Sequence, residues 1–455
     1  MQRSPRFWIL FVIVSVLFLS AWYFYWETRN GNFAGLSGLS RMLPVSQEMK
    51  GDLSTVVKLA DSVMNTDGEE KVFLILFQNN LELRPGGGFI GSFGVLKIRD
   101  GKVTDFQTHH SGVFDGRIPD TVVPPYPMTE TVFVHSWKLR DSNFSPHWPT
   151  NAEKAVMFYE MGQGGEKFDG VIGITTNVLT SFLKVTGPVA VPGFPGEYNS
   201  ENAIIDLEYQ VERGYLEQGI TLGERKAFLK PLGEAVMAKA KELSLSEKLK
   251  LFQVVLEDLH RKDIQIQFND PALQEIVRRS GWSGEVDTEW KGDALMLVDA
   301  NLNGLKSDYY IRRDLSYTVD LSTPKPTATA TIHYVHTGKT RDFMTGDYQT
   351  YARVYVPEGA WLDSVEGGIR PPAFGMEAGR KFFGVIAQVK LGSENTVSFH
   401  YTLPETIDRM NYDLKIEKQP GVNDMPVHIT IVQKDGTKKA YDTVLNRTFV
   451  LSEAE

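Results

Sequence analysis

Between residues 78 and 91 the chain reads QNNLELRPGGGFIG, a single arginine followed closely by three successive glycines. A guanidinium is a planar fork of donors that can grip a pyrophosphate bidentately. Consecutive glycine amides can line an anion-binding concavity. Gly86-x-Gly88-x-x-Gly91 also has the spacing of a dinucleotide fingerprint. That motif needs a helix immediately after it to hold the phosphates, and Phe89–Ile98 reads as a strand instead. A third use of these glycines is conformational, a tight connection between strands that needs positive φ.

A second candidate region is the connection from Gln107 to Pro149, over forty residues without a clear element. Loops that long in compact domains are functional or disordered. This one carries His109, His110, Asp115, Arg117, Trp137, Arg140, Asp141, Asn143 and Trp148. The mixture suits a polar ligand rim, or equally an ordered lid held down by its aromatic residues. The candidate ligand-binding set is therefore Arg84, Gly86, Gly87, Gly88, Asp115, Arg117, Arg140 and Asp141. No catalytic residue and no metal ligand is assigned. Asp299-x-Asn301-x-Asn303-Gly304 matches the first half of a calcium loop, but Tyr310 stands where the bidentate glutamate belongs. A polar strand-to-domain junction is the alternative. His333 and His336 fall on opposite faces of a strand and cannot share a metal. No nucleophile elbow, P-loop or zincin motif occurs.

The elements that must position these groups follow from periodicity and punctuation. A helix is expected near 52–64. Val72–Phe77 is a continuous apolar run, as in a strand covered on both faces. Phe89–Ile98 and Val103–Phe106 flank Asp100-Gly101, a strong hairpin signal. Thr150-x-x-Glu153 and Ser244-x-x-Glu247 are capping boxes, and Asp270-Pro271 opens a further helix that Gly281 closes. Alternating strands and helices predict a layered α/β domain over 51–305. From 308 to 455 the chain turns into short alternating runs divided by turn residues, which predicts an all-β sandwich that folds by itself. The boundary is placed at Asn303–Ser307.

The N-terminus sets the compartment. Phe7–Trp26 (FWILFVIVSVLFLSAWYFYW) holds no charge and twelve Leu, Ile, Val or Phe residues. Those twelve favour membrane insertion by up to ~4–7 kcal/mol. A twenty-residue helix spans a bilayer core. Arg3 and Arg6 precede it, so residues 1–6 are expected in the cytoplasm, 7–26 as a transmembrane helix, 27–50 as a linker and the bulk outside the cytoplasm. A cleaved signal peptide would end in small residues rather than Trp22, Tyr23, Tyr25 and Trp26. The net charge of −9 leaves no footprint for nucleic acid. The absence of cysteine excludes disulfides and thiolate chemistry, which suits a bacterial envelope.

The segments FLILFQNNLELRPGGGFIGSFGVLKIRDGKV, LRDSNFSPHWPTNAEKAVMFYE and FDGVIGITTNVLTSFLKVTGPVAVPG resemble the uncharacterised membrane-anchored bacterial proteins grouped as domain of unknown function 4012. VDANLNGLKSDYYIRRDLSYTVDL and YARVYVPEGAWLDSVEG fit the same pattern. A weaker likeness, carried by the order of strand, arginine loop, hairpin, long loop and helix, is to the LytR–CpsA–Psr envelope family. That likeness implies transfer of a glycopolymer from a polyprenyl-diphosphate lipid, with arginines on the pyrophosphate and acidic residues holding a divalent cation such as magnesium. Arg84 falls near that family's first arginine. Pro85 replaces the acidic residue expected beside it, Thr108-His109-His110 stands where an Arg-Asp pair belongs, and the later arginine-rich segment is thinned to Arg213 and Arg225. The expectation is an envelope protein that binds or helps assemble a glycan, a lipid-linked intermediate or a partner, with the phosphotransferase as the alternative.

Overall fold

The computed structural model describes residues 47–452, apart from 65, 133, 218 and 220–228. The expected anchor at 7–26 and the segments flanking it up to residue 46 lie outside the described residues. Among the described residues no helix is long and apolar enough to cross a membrane. The chain divides into two compact units, one of residues 47–77, 91–114 and 163–283, the other of 78–90, 115–162 and 284–452.

The first unit is the expected α/β part. Its helices are α1 (Gln47–Met64), α3 (Asn177–Thr186), α4 (Ala203–Tyr209), α5 (Leu229–Glu242), α6 (Leu245–His260) and α7 (Pro271–Arg279); α2 (Trp148–Met161) belongs to the second unit. Its sheet has the order β3-β2-β1-β4-β7, from β1 (Glu70–Asn79), β2 (Phe89–Arg99), β3 (Lys102–His110), β4 (Gly170–Thr175) and β7 (Ile264–Phe268). A two-residue pair, β5 (Val189–Ala190) and β6 (Glu197–Tyr198), stands apart. Every residue of β4 is buried, which is why Val171, Ile172 and Ile174 follow one another without polar alternation. The β2–β3 hairpin turns at Asp100 (φ 47°) and Gly101 (φ 68°), both left-handed as a two-residue turn requires.

Caps account for where the helices begin. Both halves of the Ser244–Glu247 box are made, and the Asp270 side chain accepts from the amides of Ala272 and Leu273. The Thr150–Glu153 box is not used. Helix α2 starts two residues earlier, at Trp148, with Pro149 in its first turn, so Thr150 is already inside it.

The second unit is the β-sandwich. Its strands are β8 (Asp293–Val298), β9 (Ile311–Asp320), β10 (Thr327–His336), β11 (Tyr348–Val356), β12 (Trp361–Glu366), β13 (Ala373–Glu377), β14 (Arg380–Val389), β15 (Glu394–Thr402), β16 (Asp413–Glu417), β17 (Met425–Val432), β18 (Lys438–Leu445) and β19 (Phe449–Ser452). They form two six-stranded sheets, β12-β15-β10-β9-β17-β18 and β13-β14-β11-β8-β16-β19, whose inward residues share one apolar core.

The structure corrects the boundary expected at 303–307. Strand β8, assigned from sequence to the α/β part, lies inside the second sheet, antiparallel to β11 and parallel to β16. Its Asp293 is fully buried and accepts from the Tyr317 hydroxyl at 2.7 Å and the Tyr412 hydroxyl at 2.5 Å. The apolar run LMLV looked the same as the buried strands of the first unit, because a central sandwich strand and a central α/β strand lack the same alternation. The stretches 78–90 and 115–162, also assigned to the α/β domain, belong to the sandwich unit as well.

Candidate functional site

All eight candidate residues fall in the sandwich unit. The chain leaves β1 at Asn79 and turns back through Glu82, whose amide donates to Asn79 O and whose carbonyl accepts from the Phe89 amide. Arg84 sits at the bend and is 2% exposed. Its Nε donates to Asp141 Oδ1 at 2.8 Å, Nη2 to Glu82 Oε1 at 3.0 Å, and Nη1 to the carbonyls of Asn301 at 3.1 Å and Leu83 at 3.3 Å. Four of the five guanidinium donors are thereby held by the protein. Burial alone would make the charge harder to keep, but the two carboxylates outweigh it and hold Arg84 firmly protonated.

The glycines close the same bend. The Gly86 amide donates to Asn143 O, and the Gly87 amide to Arg84 O. Gly87 has φ 132°, a region that side-chain-bearing residues avoid. A Cβ on Gly88 would lie 2.4 Å from the Asn79 backbone. Gly421 packs against Gly87 so closely that a Cβ there would lie 2.0 Å from Gly87 O. With two of the three amides occupied, the segment is a tight connection held by close backbone approach, and not an anion cradle. A strand follows it, so the dinucleotide reading is absent too.

The long connection is ordered and mostly buried from Ser136 to Trp148. A short helical turn at Leu139–Asp141 brings Asp141 to Arg84 and presents Arg140 to Asp115. The buried Asp115 carboxylate accepts from Arg140 Nε at 2.5 Å and from the Leu139 amide at 3.1 Å. Desolvation pushes the Asp115 carboxyl above its ordinary range, against the pull of Arg140. Trp137 Nε1 donates to Asp141 O at 2.7 Å, and its ring meets Phe158 edge-on. Arg117 lies on the exposed surface. The structure therefore joins Arg84 with Asp141 and Arg140 with Asp115 in two adjacent ion pairs, which is the ordered, packed alternative for this stretch.

Sequence reasoning missed the groups that bind this knot to the sandwich. The Asp308 carboxylate accepts from the Leu83 amide, and the Gln419 amide donates to the carbonyls of Arg84 and Asp299. Asn143 Nδ2 reaches Gln78 Oε1 and Gly88 O. No spacing rule links residues so far apart in sequence. The half calcium loop is likewise filled by protein. The Asp299 carboxylate takes Arg313 at 2.6 Å, Thr350 at 2.8 Å and Tyr334 at 2.9 Å, while Asn301 Oδ1 accepts from the Gly304 amide. The polar-junction alternative is the one these bonds match. A small cavity beside Asp299, Arg313, Lys418 and Gln419 has room of about 10 Å³, the scale of one water.

Residues 67–211 match the family described as protein of unknown function DUF4012. This is the family to which the sequence segments pointed. No curated protein matches the chain. Among solved structures, gbs0355 from Streptococcus agalactiae is 12% identical, with a TM-score of 0.31, covering 49% of this chain and 76% of its own. Lin1025 from Listeria innocua is 14% identical, with a TM-score of 0.26 and coverages of 48% and 81%. TagV from B. subtilis is 16% identical, with a TM-score of 0.25 and coverages of 48% and 84%. Scores this low set the three beside this chain without fixing a common fold.

Proposed function

We propose that the chain is a membrane-anchored protein of the bacterial cell envelope, its bulk outside the cytoplasm, that binds and positions an envelope glycan, a lipid-linked intermediate or a partner without catalysing phosphoryl transfer. The observation that supports this most is the Arg84 guanidinium, buried and held by Asp141, Glu82 and two carbonyls. Phosphoryl transfer depends on cationic groups aimed at the transferring phosphate. An arginine with four donors already matched has no fork left to offer a pyrophosphate. The envelope assignment is supported by the uncharged Phe7–Trp26 segment behind Arg3 and Arg6 and by the absence of cysteine.

The reading is tested by supplying what a transferase needs. Mixed with a polyprenyl-diphosphate-linked oligosaccharide, magnesium and purified sacculi, the full-length chain should sediment with the sacculi and move no oligosaccharide onto them. Transfer that depends on Arg84 and magnesium would establish the phosphotransferase instead.

Topology gives a separate expected outcome. A protease added to intact protoplasts should digest residues 50–455 and spare an N-terminal tag. Protection of the bulk would reverse the orientation argued from Arg3 and Arg6.

A further inference from the structure

The outer face of the sheet β12-β15-β10-β9-β17-β18 carries an unusual surface. In one cross-strand row His400, Thr329, Thr318 and Thr430 stand in register on four successive strands. In the next row Ser398, Thr331, Ser316 and His428 do the same. Thr329 bonds His400 at 3.0 Å and Thr331 bonds Ser398 at 3.0 Å, so the face is a grid of small rotatable donors and acceptors. Threonine alone is unremarkable on a strand, because β-branched residues favour that position.

The edge of the sheet adds what propensity does not explain. Trp361 on β12, opposite Thr402, is 68% exposed. The Lys381 ammonium lies 5.4 Å from the centre of its ring. Two residues on, the pairing slips at Asp363, and the Asp363 carboxylate accepts from the Thr402 hydroxyl at 3.1 Å. A bulge of this kind re-aims a side chain at a sheet edge.

We infer that this face binds an extended, uncharged polysaccharide backbone, with Trp361 as its stacking platform. A sugar ring offers an apolar C–H face and a rim of hydroxyls. The indole takes the first, and Asp363, Thr402 and the two hydroxyl rows take the second. Neighbouring strands lie ~4.8 Å apart, close to the span of one pyranose ring, so a chain crossing the strands meets a new polar pair at each sugar. Neither row contains Lys or Arg, His428 is already paired with Asp442 and Asp314, and Lys381 is engaged on the Trp361 ring, so the rows offer the polymer hydroxyls and no unpaired cation of the kind an anionic polymer would require. The inference names the surface for the glycan-binding form of the proposal above and rests on it for the source of the polymer.

Sedimentation of the purified full-length chain with sacculi stripped of secondary polymers tests it. Trp361→Ala should weaken retention about tenfold, the weight of one stacking aromatic. Thr331→Lys, which raises a long cation from the middle of a row, should do the same. Phe374→Ala, at a 70% exposed residue on the edge of the other sheet, should leave retention unchanged. Circular dichroism melts matching the parent would confirm that all three variants fold. If the first two variants sediment like the parent, this face is not the glycan site, although the envelope reading stands. If Phe374→Ala loses as much, the retention is apolar adhesion and the inference fails. If the parent itself does not sediment, the glycan-binding form of the proposal and this surface fall together, while the envelope topology is decided by the protease experiment.

Discussion

Asp258→Asn is expected to raise the melting temperature at pH 7 and to flatten the pH dependence of stability between pH 4 and 8. Asp258 lies on α6, 2% exposed, with Oδ1 accepting from Ser181 of α3 at 2.9 Å and Oδ2 without a partner. Close by, Asp263 is fully buried and receives Thr175 at 2.7 Å, Asn177 at 3.0 Å and Arg261 at 3.4 Å. Burial first, and the Asp263 charge second, push the Asp258 carboxyl from 3.8 up to about 8. The unfolded chain loses this proton near pH 4 while the native state keeps it. Folding therefore takes up a proton across that window. The favourable contribution is complete below the unfolded value and disappears as pH rises through the folded one. By pH 7 the loss is on the order of 4 kcal/mol. Asparagine keeps the shape and the acceptor for Ser181 without an ionisation to suppress. Melts of parent and variant at several pH values check it; a parent curve flat from pH 4 to 8, or a variant less stable at pH 7, would sink the argument.

Arg84→Met should lower stability by ~3–5 kcal/mol, the usual result of stripping one partner from a buried ion pair. The variant leaves the buried Asp141 carboxylate uncompensated and the Asn301 and Leu83 carbonyls without their donor. Adding Asp141→Leu should restore much of the loss, because the pair together costs desolvation that apolar groups do not. Urea unfolding midpoints of the two single variants and the double variant measure the coupling. An arginine kept free for a ligand would show nearly additive, small effects, and that result would reopen the pyrophosphate site.

Local signals in the sequence carried further than distant ones. The Asp100-Gly101 turn, the Ser244 box and the Asp270 cap lie where local chemistry places them, since each is decided within a few residues. The alternating runs after residue 308 gave the sandwich for the same reason. Arg84 lies beside Asp141, but the sense of that meeting depends on Asn301, Asp308 and Gln419. These partners lie far along the chain, and nothing in the run LRPGGG announces that its arginine is already satisfied. Thr150 misled because a capping box is read from two residue types, whereas Pro149 fixes the first turn one step earlier. The Asp258–Asp263 pair escaped notice altogether, as two aspartates five apart on a polar helix end look like ordinary surface charge.

The placement of β8 has a consequence for synthesis. Everything in the α/β unit has been made once residue 283 is complete, so that unit can close while the rest is still emerging. The sandwich cannot. Its β8 waits for β16, and β9 waits for β17, both close to the C-terminus. Pairings between such distant segments are slow to form, and until they do the strands on either side are open to other chains. A polypeptide beginning at residue 308 would lack β8 and leave a gap between β11 and β16. Truncation that removes β16 and β17 should therefore do more harm than its length suggests, because these late strands are the ones that pair with β8 and β9 in the two sheets.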